Sequence, residues 1–268
     1  MNCLTSDSSI SQNIGDIEMD RFFQVYLTSN GLKQISNPLR QRILSELQDK
    51  ELSLSDIAYM TGKAQSTISG HLEEMVREKL IACRDDPTDS RRKIYHLISK
   101  PIGSSSSPRE DLKDAIGRTI AGSIGMPSTF LKGVIRSIIL GMESIGLKME
   151  PMLKDIGKMI GSEVSKSMKS NSIEELLKEI QKFYELHELG DVCVYSIRPL
   201  VLIIRDEYNC HRMPETGRSF CILNEGIIGA ILENRTGMCL KILADTECLA
   251  SGYNHCKYLV ELASKSHA

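Results

Sequence analysis

The chain has 268 residues, a formal net charge of −2, and 41% hydrophobic and 25% charged residues. This length predicts two ordinary domains, each large enough to bury a core without disulfide bonds. The balanced composition excludes a basic coat protein or an acidic tail, so any nucleic-acid binding has to come from a local basic patch.

The N-terminal residues and the apolar runs argue against secretion and membrane insertion. Residues 1–17 are polar and lack a hydrophobic period, which predicts a mobile tail. They have neither the basic start nor the apolar segment of a signal peptide. Apolar runs such as VIRSIILGM are far shorter than the roughly 20 residues that span a bilayer. We therefore expect a cytoplasmic protein with no membrane partner and mostly reduced thiols.

The first predicted domain, residues 18–100, contains a helix-turn-helix pattern. Pro38 stands in the first turn of a helix whose apolar residues form one stripe. Ser53 caps a second, short helix, and Gly62 ends that helix before a third begins near Gln65. A short helix, a glycine turn and another helix are typical of helix-turn-helix proteins.

The third helix has an apolar side and a small, polar side. Ile68, Leu72, Met75 and Val76 recur on the side predicted to be buried. Short hydroxyl and amide side chains on the other side suit a DNA major groove, because they permit close approach and can contact phosphates and base edges. The alternative is an ordinary capped surface helix. The residues predicted to face DNA are Lys63, Gln65, Ser66, Thr67, Ser69, Gly70 and His71, the last in a positioning role.

A basic β-wing is predicted directly after this helix. The segment LIACRDDPTDSRRKIYHLIS reads as two strands joined by a turn that contains Pro87 and Asp89. Arg91, Arg92 and Lys93 follow the turn and would neutralise DNA phosphates, making affinity fall steeply with salt. A solvated charge run is the alternative, but the position after a helix-turn-helix favours a wing.

The segments NPLRQRIL, SLSDIA, QSTISGHLEEM and DSRRKIYHL resemble the ArsR-type winged-helix transcription regulators in order and spacing. This resemblance implies a homodimer on a pseudo-palindromic double-stranded DNA operator, with recognition helices in successive major grooves and wings on the flanks. Gly70 stands where the family usually has a longer or charged residue, which argues against direct base readout there. The family's metal sensors carry a Cys-x-Cys pair on a DNA-binding helix; this sequence has none, so its sensing function must lie elsewhere.

The two predicted domains are connected by residues 101–131, a linker and a connecting helix. The stretch PIGSSSSPRE at 101–110 has the composition of a hinge. Apolar residues three and four apart then predict helices at 110–125 and 129–148, which we interpret as connecting or dimerising helices.

The second predicted domain, residues 132–268, mixes helices and strands. A Ser172 cap and Gly190 bound a helix at 172–190. DVCVYSI and PLVLIIRDE read as strands, RSFCILNEGIIGAILENRTG as a helix ended by Gly237, and MCLKILAD with CKYLVEL as a terminal hairpin. The predicted fold class is therefore α+β, with a winged helix-turn-helix first, a helical linker, and an α+β sensor domain.

The terminal segment resembles the 4-vinyl-reductase domain of hydrocarbon-sensing regulators. The matching features are a helix with Gly226 and Gly229, and a Cys-x-x-x-Gly sequence followed by a second cysteine before an aromatic strand. Several members of that family hold zinc with three cysteines and a carboxylate, a donor set that suits tetrahedral Zn²⁺. By position, the resemblance implies one Zn²⁺ per chain, with Asp in place of the usual Glu. The implied ligands are Cys221, Asp245, Cys248 and Cys256.

A winged helix joined to a 4-vinyl-reductase domain is similar to the redox-sensing regulators of methanogenic archaea. The resemblance implies a repressor that binds DNA when its thiols are reduced and releases it on oxidation. Thiolates that share a zinc ion lie about 4 Å apart, close to disulfide range, so an oxidant can couple them and expel the metal. The redox candidates, in order, are Cys248 and Cys256, then Cys221, Cys239 and Cys210.

Simpler interpretations apply to some of the eight cysteines. Cys193 and Cys239 alternate with apolar neighbours, which favours small buried core residues. Cys3 in the tail and Cys83 in the wing have no predicted role.

Two other functions compete with redox control. In the first, the second domain binds a small apolar ligand between VYSI, VLII and IIGAIL, and the zinc is structural. The second is an enzyme, which the sequence disfavours because it has no GxGxxG, P-loop, GxSxG, HExxH or thioredoxin-type Cys-x-x-Cys motif.

Overall fold

The computed structural model describes residues 22–89, 91–205, 219–244, 253 and 255–262. The chain forms two compact units that are divided between Ser106 and Ser107. The predicted tail at 1–17 lies outside the described residues. Within the described ranges, no helix is both long enough and apolar enough to cross a membrane.

The first unit contains the predicted helix-turn-helix and wing, with additional strands on either side. Its elements are β1 (Gln24–Thr28), β2 (Gly31–Ile35), α1 (Pro38–Glu46), β3 (Leu52–Ser53), α2 (Leu54–Thr61), α3 (Gln65–Arg77), β4 (Ile81–Asp85), β5 (Lys93–Leu97) and β6 (Lys100–Ser105).

Local sequence signals set the ends of these helices. Asn37 caps α1, because its side chain accepts a hydrogen bond from the Arg40 amide at 3.1 Å. Ser53 and Asp56 form a reciprocal capping box at the start of α2. Gly62 ends α2 with a left-handed φ of 68°, a conformation that glycine adopts without a steric penalty. The predicted Ser53 cap and the predicted glycine turn of the helix-turn-helix are confirmed, whereas the Asn37 cap was not predicted.

The three helices share one apolar core, and the wing forms a separate small sheet. Ile43, Ile57, Ile68 and Leu72 are fully buried together. Strands β3, β5 and β4 pair in that order, with β4 and β5 antiparallel. The predicted wing, two strands joined by a turn, is thus present.

The strands β1, β2 and β6 were not predicted. β1 pairs with β2 across a tight turn at Gly31 and with β6 on its other edge, where Gln24 lies opposite Ser104. Residues 100–105 are therefore a strand rather than part of the predicted hinge at 101–110. Pro and Ser give this segment little strand propensity of its own, so its conformation depends on pairing with a strand about 75 residues earlier in the chain.

The second unit is an α+β fold around one antiparallel sheet. Its elements are α4 (Asp111–Ala121), α5 (Pro127–Ser144), β7 (Leu147–Lys148), α6 (Glu150–Ser165), α7 (Ile173–Leu186), β8 (Asp191–Ile197), β9 (Leu200–Arg205), α8 (Ser219–Thr236), β10 (Leu240–Ala244) and β11 (Cys256–Leu262). The sheet order is β10-β11-β9-β8. The predicted α+β class and the predicted sequence of helix, two strands, helix and terminal hairpin are confirmed, whereas α6 was not predicted.

The core of the second unit lies between the sheet and the helices α7 and α8. Leu176 and Ile180 from α7, Ile204 from β9 and Ile228 from α8 are fully buried in it. The Tyr184 hydroxyl in this core donates a 2.8 Å hydrogen bond to the Asn224 side chain, which joins α7 to α8.

Helices α6 and α8 touch backbone to backbone at glycines. A Cβ atom added to Gly157 would lie 2.2 Å from the Leu223 carbonyl oxygen, and one added to Gly161 would lie 2.2 Å from that of Ile227. From the other side, a Cβ on Gly226 would lie 2.2 Å from the Lys154 carbonyl oxygen. Only glycine permits this approach, so these positions fix how the two helices cross.

We expect Gly161→Ala to destabilise the second unit by about 1–3 kcal/mol or more, because the added methyl group forces two helix backbones apart. Gly117→Ala is the matched control: it lies in α4, and its Cβ meets nothing within 4 Å. That change should stabilise the protein by up to about 1 kcal/mol through helix propensity. Thermal unfolding followed by circular dichroism measures both, and equal melting temperatures for the two variants would contradict the close crossing.

Candidate functional site

Helix α3 presents the predicted polar face to solvent. Gln65, Ser66 and Thr67 are exposed and Ser69 is half-buried, while Ile68 on the opposite side is fully buried. The preceding Ala64 provides no capping side chain. The first amides of α3 can therefore bind an anion such as a DNA phosphate.

The other residues predicted near this face occupy different positions. Lys63 is exposed in the turn before α3, and His71 is half-buried on the helix. A Cβ added to Gly70 would meet nothing within 4 Å, so this exposed position is open to an approaching groove.

The wing and α3 line a concave surface that encloses a volume of about 670 Å³. Gln65 and Ser69 of α3 line one side of it, and the three wing cations line the other. Glu73 and Asp89 also line it and place negative charge there. The structure thus brings two of the predicted helix residues and the three predicted wing cations to a single surface.

The three wing cations differ in their contacts, although the sequence predicted equivalent roles. The Arg92 guanidinium lies 2.9 Å from an Asp56 carboxylate oxygen and 3.0 Å from the Ser53 hydroxyl, which joins the wing to the start of α2. Arg91 and Lys93 are exposed and make no ion pair with any described residue.

Asp56 is the anchor that receives Arg92. Hydrogen bonds from Ser53, followed by the contact with Arg92, hold the pKa of the Asp56 carboxyl below its usual value. The carboxylate is therefore ionised at neutral pH and can both cap α2 and hold the wing.

Two cysteines of the second unit lie side by side in its core. The sulfur atoms of Cys221 and Cys256 are 3.4 Å apart, and the two residues are 2% and 1% exposed. Cys221 stands near the start of α8, and Cys256 opens β11, opposite Ile204 of β9. Two of the four predicted zinc ligands are thus adjacent in the core. The other two, Asp245 and Cys248, lie outside the described residues, as does Cys210.

The remaining described cysteines are separate from the core. Cys239 is exposed, so its predicted burial is wrong; Cys193 is half-buried, and Cys83 is exposed on the wing. Burial, followed by the Asp191 carboxylate, raises the pKa of the Cys193 thiol, which disfavours the reactive thiolate. Among the described residues, no group of three or more His, Cys, Asp and Glu side chains could hold a metal ion.

Asn224 was missed by the sequence reading. It is fully buried one turn after Cys221 on α8. The signal that could have found it is an Asn-Glu pair inside an otherwise apolar helix. A polar residue at such a position requires a buried partner, which here is Tyr184.

The apolar segments predicted to enclose a small ligand contribute to the core. Leu202, Ile204, Ile227 and Ile231 are buried and belong to one packed cluster. Ligand binding therefore stays a prediction.

A helix-turn-helix followed by a basic wing defines a winged-helix DNA-binding unit. Residues 37–82 match the family described as "Bacterial regulatory protein, arsR family", so this segment is an ArsR-family helix-turn-helix domain. Such a domain indicates a DNA-binding transcription regulator rather than an enzyme.

The chain has homologues in a methanogenic archaeon. Uncharacterized protein MJ0150 of Methanocaldococcus jannaschii is 26% identical over 163 residues, which cover 59% of this chain and 90% of that protein. Uncharacterized protein MJ1642 of the same organism is 27% identical over 118 residues, covering 44% of this chain and 68% of that protein.

Similarity to solved structures is low in each case. A vinyl-4-reductase family protein from Methanocaldococcus jannaschii is 18% identical with a TM-score of 0.35, covering 57% of this chain and 94% of that one. The phenol-responsive sensory domain of the transcription activator PoxR is 12% identical with a TM-score of 0.37, covering 57% and 91%. Trafficking protein particle complex subunit 3 from Naegleria fowleri is 14% identical with a TM-score of 0.42, covering 52% and 96%.

We expect substitutions of the three wing cations to differ in how they change the salt dependence of DNA binding. Arg91→Ala and Lys93→Ala should each reduce the slope of log affinity against log salt by about 1 per chain, because each removes a phosphate contact. Arg92→Met should weaken binding several-fold without changing the slope, because it releases the wing from Asp56. Fluorescence anisotropy with DNA selected from a random pool measures both quantities.

Asp56→Asn provides the control for Arg92. If Arg92 acts through Asp56, the two single changes weaken binding to similar degrees and the double variant is no weaker than either. A slope change for Arg92→Met, together with unchanged affinity for Asp56→Asn, would instead place Arg92 on a phosphate.

Proposed function

We propose that the protein is a homodimeric transcription repressor that binds a pseudo-palindromic DNA operator when its thiols are reduced and releases it on oxidation. The observation that carries this proposal is the buried Cys221–Cys256 pair, with sulfur atoms 3.4 Å apart. The ArsR-family segment supports the DNA-binding half of the proposal.

The sulfur spacing suits a change between two bonding states. A disulfide has an S–S distance of about 2.05 Å, and two thiolates on one tetrahedral zinc lie about 3.8 Å apart. The observed 3.4 Å falls between these distances. In the metal-free dithiol, oxidation breaks both S–H bonds and forms one S–S bond, and two electrons and two protons pass to a two-electron oxidant such as a peroxide or diamide. With zinc bound, the two sulfurs would already be thiolates, so only two electrons would pass to the oxidant and Zn²⁺ would be released.

Closing the pair would move the start of α8 relative to β11. The sulfur atoms have to approach by about 1.4 Å, and both residues lie in a close-packed core that absorbs little displacement. Gly226, five residues after Cys221, is in backbone contact with α6. We expect the shift to pass to α6 for that reason, since the glycine crossing leaves no free space between the helices.

Zinc is the metal that the proposal assigns to the reduced state. Cys221 and Cys256 fit two positions of a tetrahedral thiolate site by their spacing, and Asp245 with Cys248 would supply the remaining ligands. The metal would hold the sulfurs as thiolates and link α8 to β11.

We expect diamide to weaken operator binding of the wild type by at least about tenfold, and to have little effect on Cys221→Ser or Cys256→Ser. Both variants should still bind DNA when reduced, because neither residue lies in the winged-helix unit and the proposal assigns DNA release to the disulfide rather than to loss of the metal. Anisotropy titrations with and without diamide, paired with free-thiol counts, give the measurement.

Cys239→Ser, which changes an exposed cysteine of the same unit, should respond to diamide as the wild type does. If Cys248→Ser abolishes the response and Cys221→Ser keeps it, the switching pair is Cys248 and Cys256. An undiminished response in Cys256→Ser would rule out both pairs.

Metal analysis tests the zinc assignment separately. Native mass spectrometry of the reduced protein should show one zinc ion per chain, and Cys221→Ser should lose it because thiolates dominate the proposed site. Cys83→Ser, in the first unit, should retain the metal. If the wild type contains no zinc but still responds to diamide, the switch is a thiol pair that needs no metal. A co-purified apolar molecule would instead favour ligand sensing.

A further inference from the structure

Helix α5 has an apolar outer face that no described residue covers. Leu131 is 64% exposed and Ile138 is 59% exposed, while Phe130, Val134 and Ile135 between them are also exposed. These five residues, here called the α5 stripe, follow the three- and four-residue spacing that places side chains on one side of a helix. Ile124 and Met126, just before the helix, extend the exposed apolar surface.

The inner side of α5 is already occupied within the unit. Leu140 packs against Leu112 and Ala115 of α4, and Ile139 belongs to the main core. Gly133 approaches the end of α4, since a Cβ there would lie 3.0 Å from the Ser123 hydroxyl. The stripe is thus a second apolar face on a helix whose first face is already packed.

The absence of charge distinguishes the stripe from an ordinary solvated helix. Every exposed residue from 121 to 145 is apolar. The charged residues of that range do not belong to the stripe, because Arg136 and Glu143 are buried and Lys132 is half-buried. Helix α7 of the same unit shows the normal pattern, with a buried apolar side and an outer face that carries Glu174, Glu175, Lys178, Lys182 and Glu185.

We infer that the α5 stripe is the dimer interface of this protein, covered by the same stripe of a second copy. An uncharged apolar surface requires an uncharged apolar partner, and a second copy of itself presents such a surface without like charges facing each other. In a two-fold pairing of antiparallel helices, the middle of the stripe, at Val134 and Ile135, lies on or near the axis. This inference deepens the proposed regulator, which needs two winged-helix units on one operator.

The test is the mass of the full-length protein in solution, measured by sedimentation velocity with thiols reduced and no DNA present. The wild type should sediment as two 29.9 kDa chains. Ile135→Glu and Ile135→Lys should each weaken dimerisation by roughly 100-fold or more, because they bury like charges against each other at the axis. Leu186→Glu is the matched control: it places the same charge on the 78% exposed leucine of α7 and should leave the dimer intact.

Mixing the two variants makes the test specific for a second copy. An Ile135→Glu chain and an Ile135→Lys chain should dimerise with each other, because opposite charges then meet where like charges repelled. Circular dichroism should show that each single variant retains its helical content and melts cooperatively. The milder Leu131→Gln, which introduces no charge, should give an intermediate dissociation constant.

Three outcomes would overturn the inference. A wild type that sediments as a single chain would show that no second copy covers the stripe. Variants that keep the wild-type mass would place the dimer contact elsewhere. Variants that lose the dimer but fail to pair when mixed would show that the substitutions act on the fold. Since the measurement uses neither DNA nor oxidant, each of these results leaves thiol control of DNA binding to be judged by its own experiment.

Discussion

The crossing of α6 and α8 is the constraint on which the rest of the second unit depends. Gly157, Gly161 and Gly226 let the two helix backbones meet, with the Lys154–Glu225 ion pair at 2.9 Å beside the contact. Because this contact leaves no room for side chains, it sets the height and rotation of α8 over the sheet. The position of Cys221 against Cys256 follows from that rotation, and so does the buried hydrogen bond between Asn224 and Tyr184. The thiol pair is therefore a product of how α8 is seated and not of the local sequence around either cysteine.

In the first unit, too, function depends on where side chains are placed, but here the side chains are charged. The chain as a whole is slightly acidic, so phosphate binding needs cations gathered on one surface. The wing provides them, and Arg92 is bound to Asp56 at the start of α2. A wing held in this way keeps Arg91 and Lys93 beside α3 and reduces the conformational freedom that DNA binding would otherwise have to remove. Glu73 and Asp89 in the same concave surface oppose non-specific attraction to any polyanion.

What the sequence could predict was set by the range of the interactions. The helix-turn-helix followed from local signals, because Pro38, Ser53 and Gly62 act within a few residues of the elements they start or stop. The strand β6 could not be predicted in that way, since its partner β1 lies far away in the chain. Cys221 and Cys256 were recognised as candidates by resemblance, but their contact across 35 residues needed the fold. The different roles of Arg92 and its two neighbours could not be predicted either, because three adjacent cations are indistinguishable in sequence until their partners are known.

Burial of the thiol pair has a chemical consequence for the proposed switch. Burial limits the access of an oxidant to the pair, and the thiolate rather than the thiol is the reactive form of cysteine. Oxidants reach the exposed Cys239 more easily, but it has no sulfur partner among the described residues. The accessible cysteine and the paired cysteines are therefore different residues. The assigned zinc would resolve this conflict, because metal binding keeps buried sulfurs deprotonated at neutral pH. Two buried sulfurs held by zinc would be protected from oxidants in the solvent, yet they would lie close enough together to form a disulfide. Metal and redox control would then be two aspects of one site, and the order in which metal and electrons leave would determine how fast the regulator responds.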